Sequence, residues 1–396
     1  MAGFFAMSRT LGASACGLLL WVAAMPLEAQ TPTLTITLTG QSMIRGDIRE
    51  HAPEAVPFIK SLLKDSDVKF TNFEATVVDE RKGQKYTDGR FLSPPQALEA
   101  LQAFGFNLLA VSNNHSFDMK TPGIINTLEQ TERLGIPHAG LGRTLQDAAA
   151  PAYLKTPKGT VALISMASGL IREGAAATPT NPGVNELRVM NGQPNAEDTS
   201  RILRSIREAR AQADMVIVYE HNHVFDKAFR TIMIEELPER MVPPEWLKKW
   251  THDEIDAGAD IVVMHGAPLI HGVEIYKGKP IFYDLGNFIF QAPPRDILLD
   301  GPLNWESVVA YVEFQGRKLQ SIRFQPIAQN KIGQGNPDIQ NEFNPNLFLR
   351  TRGLPKPVDG EQAHYILQRL VELSRPFGTA IEVNGSTATV RLTEGK

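Results

Sequence analysis

The chain has 396 residues, of which 42% are hydrophobic and 21% are charged, with a formal net charge of −4 at pH 7. This composition is typical of a globular protein with one large or two ordinary domains and a sizeable core. It argues against nucleic acid as a partner, because neutralising phosphates requires clustered Lys and Arg, and the sequence has no long basic run.

The N-terminal segment has the features of a secretory signal peptide. Arg9 supplies a positive charge, residues 11–24 are small and apolar, and small residues recur up to Ala29. This order predicts export to the periplasm or cell surface, with cleavage near Ala24 or Ala29. The apolar run is short for a membrane span, but an uncleaved N-terminal anchor is the alternative. The only cysteine, Cys16, lies in this segment, so the exported chain would have no thiolate ligand, cysteine nucleophile or disulfide.

Beyond this segment, strand and helix patterns alternate along the chain. This alternation predicts an α/β fold, and the hairpins among the strands make the sheets mixed. Two stacked sheets with helices outside would suit the number of elements. The predicted strands and hairpins are 33–39, 67–70, 105–111, 153–165, 215–219, 260–264, 273–283, 308–324 and 380–392, and the predicted helices are 53–64, 95–104, 121–134, 145–150, 197–213, 246–258 and 364–373.

Polar clusters follow several of the predicted strands. Two amides and an imidazole at a strand end, as in Asn113-Asn114-His115, suit a binding site better than a core. Ligand sites in open α/β sheets lie at the carboxyl ends of strands. The alternative for any single cluster is a surface turn. The clusters are Gly40-Gln41, Asn72-Phe73-Glu74, Asn113-Asn114-His115, His221-Asn222-His223 and His265.

Together these clusters offer carboxylate, amide oxygen and imidazole ligands. Such a set suits Mn, Zn, Fe or Mg. A pair of such ions would polarise an ester or amide bond and supply a hydroxide nucleophile. The sequence therefore predicts a divalent-metal site at one edge of the sheets.

Four longer motifs carry a family resemblance. As an ordered set they resemble the bacterial capsule-synthesis CapA proteins, also described as poly-γ-glutamate synthesis proteins, which are similar in fold to calcineurin-like metallophosphatases. The resemblance covers roughly 34–290 and implies a four-layer α-β-β-α sandwich of two mixed sheets, with the site at one edge. The motifs are TNFE at 71–74, SNNHSFD at 112–118, IDAGADIVV at 255–263 and GVEIYKGKPIFYDLGNF at 272–288.

The resemblance implies roles for individual residues. Glu74 matches the Glu of the family's NLE motif and would be a metal ligand. Asn114 and His115 match the NNH motif, with Asn114 as a ligand and His115 nearer the substrate as an acid or base. His221 and His265 match further histidines of the family and would complete the metal ligands.

Two departures from the family pattern put a dinuclear site in doubt. Gln41 stands where the family has a bridging Asp, and a neutral amide cannot bridge two cations as a carboxylate does; we keep it as a candidate ligand. Pro268 stands where the family has a histidine. His271 is close in sequence, but its direction is unknown, and Asp47 is several residues late and expected on a helix. We therefore expect one ion or none.

Asn113, His223 and Asn287 are candidate substrate-binding residues. A non-functional interpretation is the alternative for two of them. Asn287 would then close a turn around Gly286, and one of His221 and His223 would be only a solvated neighbour of the other, functional histidine. Glu74, His115 and His265 could likewise be structural, because a buried histidine often simply hydrogen-bonds a backbone carbonyl.

Domain organisation and function follow as expectations. We expect a signal peptide at 1–29, a CapA-like domain at 33–291 and a C-terminal α+β extension at 292–396 that packs on the core. The protein would take part in the synthesis or remodelling of an extracellular anionic polymer and, if it is an enzyme, would be a metal-dependent hydrolase acting on a phosphoester or amide bond. Its partners would be that polymer or its precursor and membrane-bound synthase components. The main alternative is a non-catalytic polymer-binding or assembly protein with a degenerate metal site, and a fainter one is a general phosphatase.

Overall fold

A computed structural model describes residues 1–4, 31–87, 90–226, 242–292, 301–331 and 352–392. Residues 32–396 form one compact unit, and residues 1–31 form another. The predicted signal peptide lies almost entirely outside the described residues. Within the described ranges, no helix has both the length and the apolar character needed to cross a bilayer.

The strands and helices alternate along most of the chain. The helices are α1 (Ile48–His51), α2 (Val56–Leu63), α3 (Pro95–Phe104), α4 (Lys120–Leu134), α5 (Leu145–Ala149), α6 (Ala196–Gln212), α7 (Glu245–Ala257) and α8 (Gly360–Ser374). The strands are β1 (Thr33–Leu38), β2 (Gln41–Met43), β3 (Val68–Asn72), β4 (Thr76–Val77), β5 (Leu92–Ser93), β6 (Leu108–Ala110), β7 (His138–Ala139), β8 (Leu141–Gly142), β9 (Ala152–Thr156), β10 (Gly159–Ser168), β11 (Gly183–Val184), β12 (Val189–Met190), β13 (Gln193–Pro194), β14 (Met215–Asn222), β15 (Ile261–His265), β16 (Val273–Tyr276), β17 (Lys279–Phe282), β18 (Asn287–Phe290), β19 (Glu306–Gln315), β20 (Lys318–Gln329), β21 (Pro355–Lys356), β22 (Ile381–Asn384) and β23 (Thr387–Val390).

Two mixed sheets form the centre of the fold. The larger sheet has the strand order β22-β23-β20-β19-β1-β3-β6-β7, with β21 paired to β20. Within it, β1, β3, β6 and β7 are parallel. The smaller sheet has the order β16-β17-β15-β14-β10-β9, and its four inner strands are parallel. In both sheets the parallel strands therefore point their carboxyl ends toward one edge.

The sheets pack face to face with helices on both outer faces. Alternation along β1 turns Leu34, Ile36 and Leu38 inward, where they join Leu163 and Ile217 of the smaller sheet in one apolar core. A second core lies between the larger sheet and α2, α3 and α4. A third lies between the smaller sheet and α6 and α7. The predicted four-layer α-β-β-α sandwich is confirmed.

The C-terminal region contributes strands to the larger sheet. β19 pairs antiparallel with β1 from Thr33↔Gln315 to Leu38↔Ala310, and β20 continues the sheet beyond it. Helix α8 places Ile366, Leu367 and Leu370 in the core between the sheets. We expected this region to be an extension packing on the core, but β19 and β20 lie inside the sheet. They cover the edge of β1, which would otherwise expose unpaired backbone groups.

Two buried glutamates lie near each other between the smaller sheet and α7. Glu220 on β14 and Glu254 on α7 are both fully buried. Ser168 Oγ donates a hydrogen bond to Glu220 at 2.8 Å. Neither carboxyl oxygen of Glu254 has a hydrogen-bond partner among the described residues. Burial, reinforced by the nearby Glu220, raises the pKa of Glu254 well above its usual range.

This burial makes the stability of the fold depend on pH. The folded state holds a proton on Glu254 that the unfolded chain releases above its ordinary pKa of about 4.3. The contribution of Glu254 is therefore most favourable at acidic pH and declines as the pH rises. We expect Glu254→Gln to raise the melting temperature by about 2–4 °C at pH 8 and by less at pH 5, measured by calorimetry.

Glu245→Gln is the matched control, because the Glu245 side chain is 88% exposed on the same helix. It should change the melting temperature little at either pH. If Glu254→Gln instead lowered the melting temperature equally at both pH values, burial of the Glu254 carboxyl group would not be the cause of a pH-dependent loss of stability.

Candidate metal centre

The parallel strands bring the polar clusters to one edge of the sandwich. Glu74 follows β3, and Asn114 and His115 follow β6, all from the larger sheet. His221 lies at the end of β14, and His265 is the last residue of β15, in the smaller sheet. Because the carboxyl ends of neighbouring parallel strands meet at the same edge, side chains far apart in sequence become neighbours here.

Three of these side chains and that of His223 converge on one point. Single donor atoms of Glu74, His221 and His223 all lie within 4.8 Å of one another. His221 Nε2 is 3.6 Å from Glu74 Oε1 and 3.0 Å from His223 Nε2. It is also 2.9 Å from the side-chain oxygen of Asn114. We call Glu74, Asn114, His221 and His223 the central cluster.

The chemistry of the central cluster suits a cation. Burial lowers the pKa of His221 well below its usual range and that of His223 to about 3, so both imidazoles are neutral at pH 7. A neutral imidazole has one N–H and one lone pair. His221 Nε2 faces an amide oxygen, a carboxyl oxygen and a second imidazole nitrogen, and one N–H cannot satisfy all three. A positive ion would satisfy these lone pairs together.

Glu74 supports the same interpretation. It is 3% exposed, and its Oε2 has no hydrogen-bond partner among the described residues. Burial raises the pKa of Glu74 to about 8, although the nearby His115 opposes the shift. A bound cation would stabilise the carboxylate that burial disfavours. Carboxylate, amide oxygen and imidazole together fit Mn, Zn, Fe or Mg.

Gln41 and His265 were also expected to be metal ligands, but they are not among the four residues of the central cluster. Gln41 is buried and donates from Nε2 to the side-chain oxygen of Asn287 at 3.0 Å, while its own Oε1 has no partner among the described residues. His265 pairs with His221 across β14 and β15, and its ring centroid is 5.4 Å from that of Tyr219. Burial lowers the pKa of His265 to about 3, so it too is a neutral imidazole.

Close backbone approach fixes the position of Gln41. A Cβ built on Gly40 would come within 2.2 Å of the Gly286 carbonyl oxygen, so only glycine fits there. Gln41 is thereby paired with Asn287 between β2 and β18. The side chain is held at the site edge, but it carries no negative charge to attract a second ion.

The expected substrate-binding residues have different surroundings. Asn113 donates to the Phe73 carbonyl at 2.8 Å and accepts from the His115 N–H at 3.0 Å, bonds that position the loop. Asn287 is fully buried and donates to the Asn304 carbonyl at 2.8 Å. These bonds are typical of structural residues. His223 lies in the central cluster, so the structure groups it with the candidate ligands and not with the substrate.

Two residues named as possible substitutes lie outside the central cluster. Asp47 caps α1 and forms an ion pair with Arg49 at 2.6 Å, in agreement with the helix expected there. His271 is buried, and its backbone N–H donates to the Asp284 carbonyl at 3.0 Å. Asp47 therefore does not replace the carboxylate missing at Gln41, and His271 is not grouped with the candidate ligands in place of the imidazole missing at Pro268.

A second set of contacts, which the sequence did not reveal, orients His115. Its Nδ1 is 2.9 Å from Asp118 Oδ2, and its Nε2 is 3.9 Å from Glu74 Oε1, so the ring reaches from Asp118 toward the central cluster. The Asp118 side chain is fully buried and also accepts from the Phe91 N–H at 2.6 Å. Arg172 pairs with the other oxygen of Asp118 at 2.8 Å.

Asp118 had a detectable signal in the sequence, because it follows His115 by three residues in the same motif. Arg172 had none, since it lies in a segment rich in Gly, Ala and Pro that we interpreted as a surface loop. Tyr219 was missed too: it is fully buried in the core, with its hydroxyl 3.1 Å from His221 Nδ1.

Comparison with known proteins decides the family. A family model described as bacterial capsule synthesis protein PGA_cap matches residues 35–292, well over half of the chain. This chain belongs to the PGA_cap family. The suspected resemblance to CapA proteins is thereby confirmed.

Relatives of this PGA_cap chain include named capsule proteins. An uncharacterized protein of Sinorhizobium fredii is 28% identical over 84% of this chain and 88% of its own length. Capsule biosynthesis protein CapA of Bacillus anthracis is 27% identical over 65% of this chain and 60% of its own length. PGA biosynthesis protein CapA of Bacillus subtilis is 27% identical over 59% and 56%.

Among solved structures, a phosphatase from Mycoplasma pneumoniae aligns with 80% of this chain and all of its own, at 12% identity and a TM-score of 0.44. A similarity at this level carries no argument about function. The assignment of the fold therefore rests on the layers and strand order of the chain itself.

The central cluster predicts metal binding that depends on Glu74 and His221. We expect the PGA_cap chain to bind about one Mn²⁺ or Zn²⁺ per molecule, measured by titration calorimetry and elemental analysis after dialysis. Glu74→Gln and His221→Ala should each weaken binding by at least about a hundredfold, because each removes a ligand and not merely an outer contact.

The matched control is His252→Ala. His252 stacks on Tyr276 with ring centroids 3.7 Å apart and is not part of the central cluster. This variant should bind metal as the parent does, and circular dichroism should show all three variants folded. A parent protein free of metal, or folded Glu74 and His221 variants with unchanged affinity, would contradict the assignment.

Proposed function

We propose that this chain is an exported metal-dependent protein that cleaves or transfers a phosphoester or amide bond in an extracellular anionic polymer of the poly-γ-glutamate type. The observation that carries the proposal is the convergence of Glu74, Asn114, His221 and His223, with His115 facing them. The names of the Bacillus relatives, which refer to capsule and PGA biosynthesis, supply the class of polymer.

The central cluster would hold the divalent ion. Such an ion polarises the scissile bond and activates water when it is bound. Glu74 contributes the charge, and Asn114 and the two histidines contribute neutral ligands. Tyr219 fixes the orientation of His221 through its contact with Nδ1, as outer hydrogen bonds commonly do for ligating imidazoles.

His115 would move a proton during the reaction. Asp118 contacts Nδ1 and so favours the tautomer with its proton on that nitrogen, which directs Nε2 toward the central cluster. The side chain is 24% exposed, so it borders both the buried cluster and the solvent. A histidine held in this way can take a proton from a nucleophile or give one to a leaving group.

The surroundings of His115 favour an anionic substrate. Arg172 pairs with the buried Asp118 at 2.8 Å, and Arg90 approaches it at 4.0 Å. These two arginine side chains are 39% and 35% exposed. Two guanidinium groups share the single Asp118 carboxylate, so neither is fully paired by it beside His115. Guanidinium groups bind carboxylate and phosphate groups in bidentate geometry, so either type of anion would be attracted here.

Export would place this chemistry where the polymer is assembled. The N-terminal segment has the features of a signal peptide, with cleavage near Ala24 or Ala29, and an uncleaved anchor is the alternative. The partners we propose are the polymer or its precursor and membrane-bound components of its synthase. No nucleic acid is expected, because the chain carries a net negative charge.

A second candidate function is polymer binding or assembly without catalysis. The observation that favours it is Gln41, whose amide is bonded to Asn287 at the position where a bridging carboxylate would be expected. A site limited to one ion could serve to hold a polymer anion in place. The two functions differ in whether His115 matters for turnover.

Substitution of His115 tests the catalytic proposal. The purified protein, loaded with Mn²⁺ or Zn²⁺, is incubated with poly-γ-glutamate and with an aryl phosphate, and chain length and phosphate release are measured. We expect turnover of one substrate class, and a reduction of about 10²–10⁴-fold in His115→Ala, the usual contribution of general acid–base catalysis. Metal content should stay unchanged, because His115 lies outside the central cluster.

His364→Ala, an exposed histidine on α8, is the control and should retain full activity. Turnover that survives in His115→Ala would contradict the assigned proton transfer. A metal-loaded parent that binds polymer but turns over neither substrate would reject catalysis and leave the assembly function. Turnover of the aryl phosphate alone would indicate a general phosphatase.

A further inference from the structure

A second candidate binding site lies at the opposite edge of the sandwich from the central cluster. β17 is parallel to β15, and Ile281 pairs with Val262. Two residues earlier on each strand, Lys279 and Asp260 therefore lie side by side at the amino end of β15. His265 is five residues farther along this strand, which corresponds to about 16 Å. The two edges therefore carry separate sites on one scaffold.

Both sheets contribute to a cleft at this edge. The turn between β16 and β17 forms one wall, and the turn between β19 and β20 forms another. The segment after α8 and the end of β23 complete the lining. The cleft encloses about 440 Å³. This volume is within the range of about 300–1,000 Å³ found for ligand sites.

The lining of the cleft is strongly basic, although the chain as a whole is acidic. It includes five cationic side chains and no carboxylate, and we call this site the basic cleft. Three nearby carboxylates pair with some of these cations, so positive charge remains in excess. The five cationic residues are Lys277, Lys279, Arg317, Lys318 and Arg391.

Asp260 holds two of these cations in place. It is fully buried and pairs with Lys279 at 2.6 Å and Arg317 at 3.0 Å. It also pairs with Arg210 at 2.6 Å, so three cations share a single carboxylate. Arg317 uses its Nε in this bond, and its side chain is 51% exposed. Asp260 therefore orders the basic groups without neutralising them.

The remaining cations are only partly compensated. Lys277 pairs with Asp256 at 2.6 Å, and Arg391 pairs with Glu382, but both pairs are exposed and so bind weakly in water. The Lys318 ammonium group is exposed and makes no hydrogen bond or ion pair with a described residue. Lys318 is therefore the cation most available to an incoming anion.

A buried threonine also lines the basic cleft. Thr379 is 7% exposed, and its Oγ1 is closed off from solvent and has no hydrogen-bond partner among the described residues. Because this hydroxyl does not face the open cleft, the case for an anionic ligand rests on the five cations.

We propose that the basic cleft is a binding site for a run of carboxylates along the same anionic polymer, separate from the metal centre. This inference rests on the proposed function for the identity of the polymer. Regularly spaced carboxylates would contact several of the five cations at once. Several weak contacts made by one chain give a much higher affinity than any one alone.

Reversal of charge at two exposed cleft lysines tests the proposal. Lys277→Glu combined with Lys318→Glu is compared with Lys60→Glu combined with Lys155→Glu, a control that makes the same change of net charge at exposed lysines elsewhere. The probe is fluorescently labelled poly-γ-glutamate, and the dissociation constant is measured by anisotropy at low and physiological salt. We expect at least about tenfold weaker binding for the cleft variant and less than about twofold for the control.

The expected loss should also shrink as salt is added, because screening weakens exposed charges. Equal affinities in the two double variants, or no polymer binding by the parent, would overturn the proposal. Binding of the parent to anionic phospholipid vesicles but not to the polymer would overturn it in favour of a membrane surface.

The test separates the basic cleft from the metal centre. Metal content and turnover of a short phosphate ester, measured in the same variants, should be unaffected, because both lysines are remote from the central cluster. Absent turnover in the parent would reject the proposed catalysis while leaving polymer binding at the basic cleft intact. A cleft variant that lost metal and polymer together would contradict the claim of two separate sites.

Discussion

Burial of closely packed ligand atoms is the constraint that organises the edge of this protein where the parallel strands end. Glu74, Asn114, His221 and His223 direct oxygen and nitrogen lone pairs toward one point that water barely reaches. Such an arrangement is unfavourable without a positive charge at its centre. The fold maintains it because His221 lies in β14 and the other three residues lie on short segments that directly follow β3, β6 and β14. The site is thus prepared for a cation by the geometry of the two sheets.

The same scaffold separates two kinds of recognition. At the carboxyl edge, neutral imidazoles and one carboxylate suit a metal ion, and Arg172 and Asp118 organise the approach to His115. At the amino edge, buried Asp260 orders basic side chains that suit an extended anion. In the function we propose, this division lets polymer capture and bond chemistry depend on different residues.

Local patterns predicted the elements of the fold well, whereas long-range pairings were less accessible. Helix α3 has the predicted bounds, Pro95–Phe104, because proline at its start and Gly105 after its end mark both termini. The helix predicted at 53–64 instead begins as a 3₁₀ turn, Pro53–Ala55. The insertion of β19 beside β1 joins segments about 275 residues apart, from Thr33↔Gln315 to Leu38↔Ala310. The alternation of apolar residues within each strand does not indicate which distant strand it will pair with.

The candidate site shows the same limit. Family motifs pointed to Glu74, Asn114 and His221, and the strand ends bring those three together. Sequence spacing alone could not show that His223 Nε2 lies 3.0 Å from His221 Nε2, the distance that places His223 among the candidate ligands.

The central claim is that Glu74, Asn114, His221 and His223 enclose one cation. Crystals soaked in Mn²⁺ or Zn²⁺ and measured at the absorption edge of the metal test it most directly. The account predicts one anomalous peak about 2.0–2.3 Å from donor atoms of Glu74 and His221; a well-ordered site in metal-soaked crystals with no peak would contradict it.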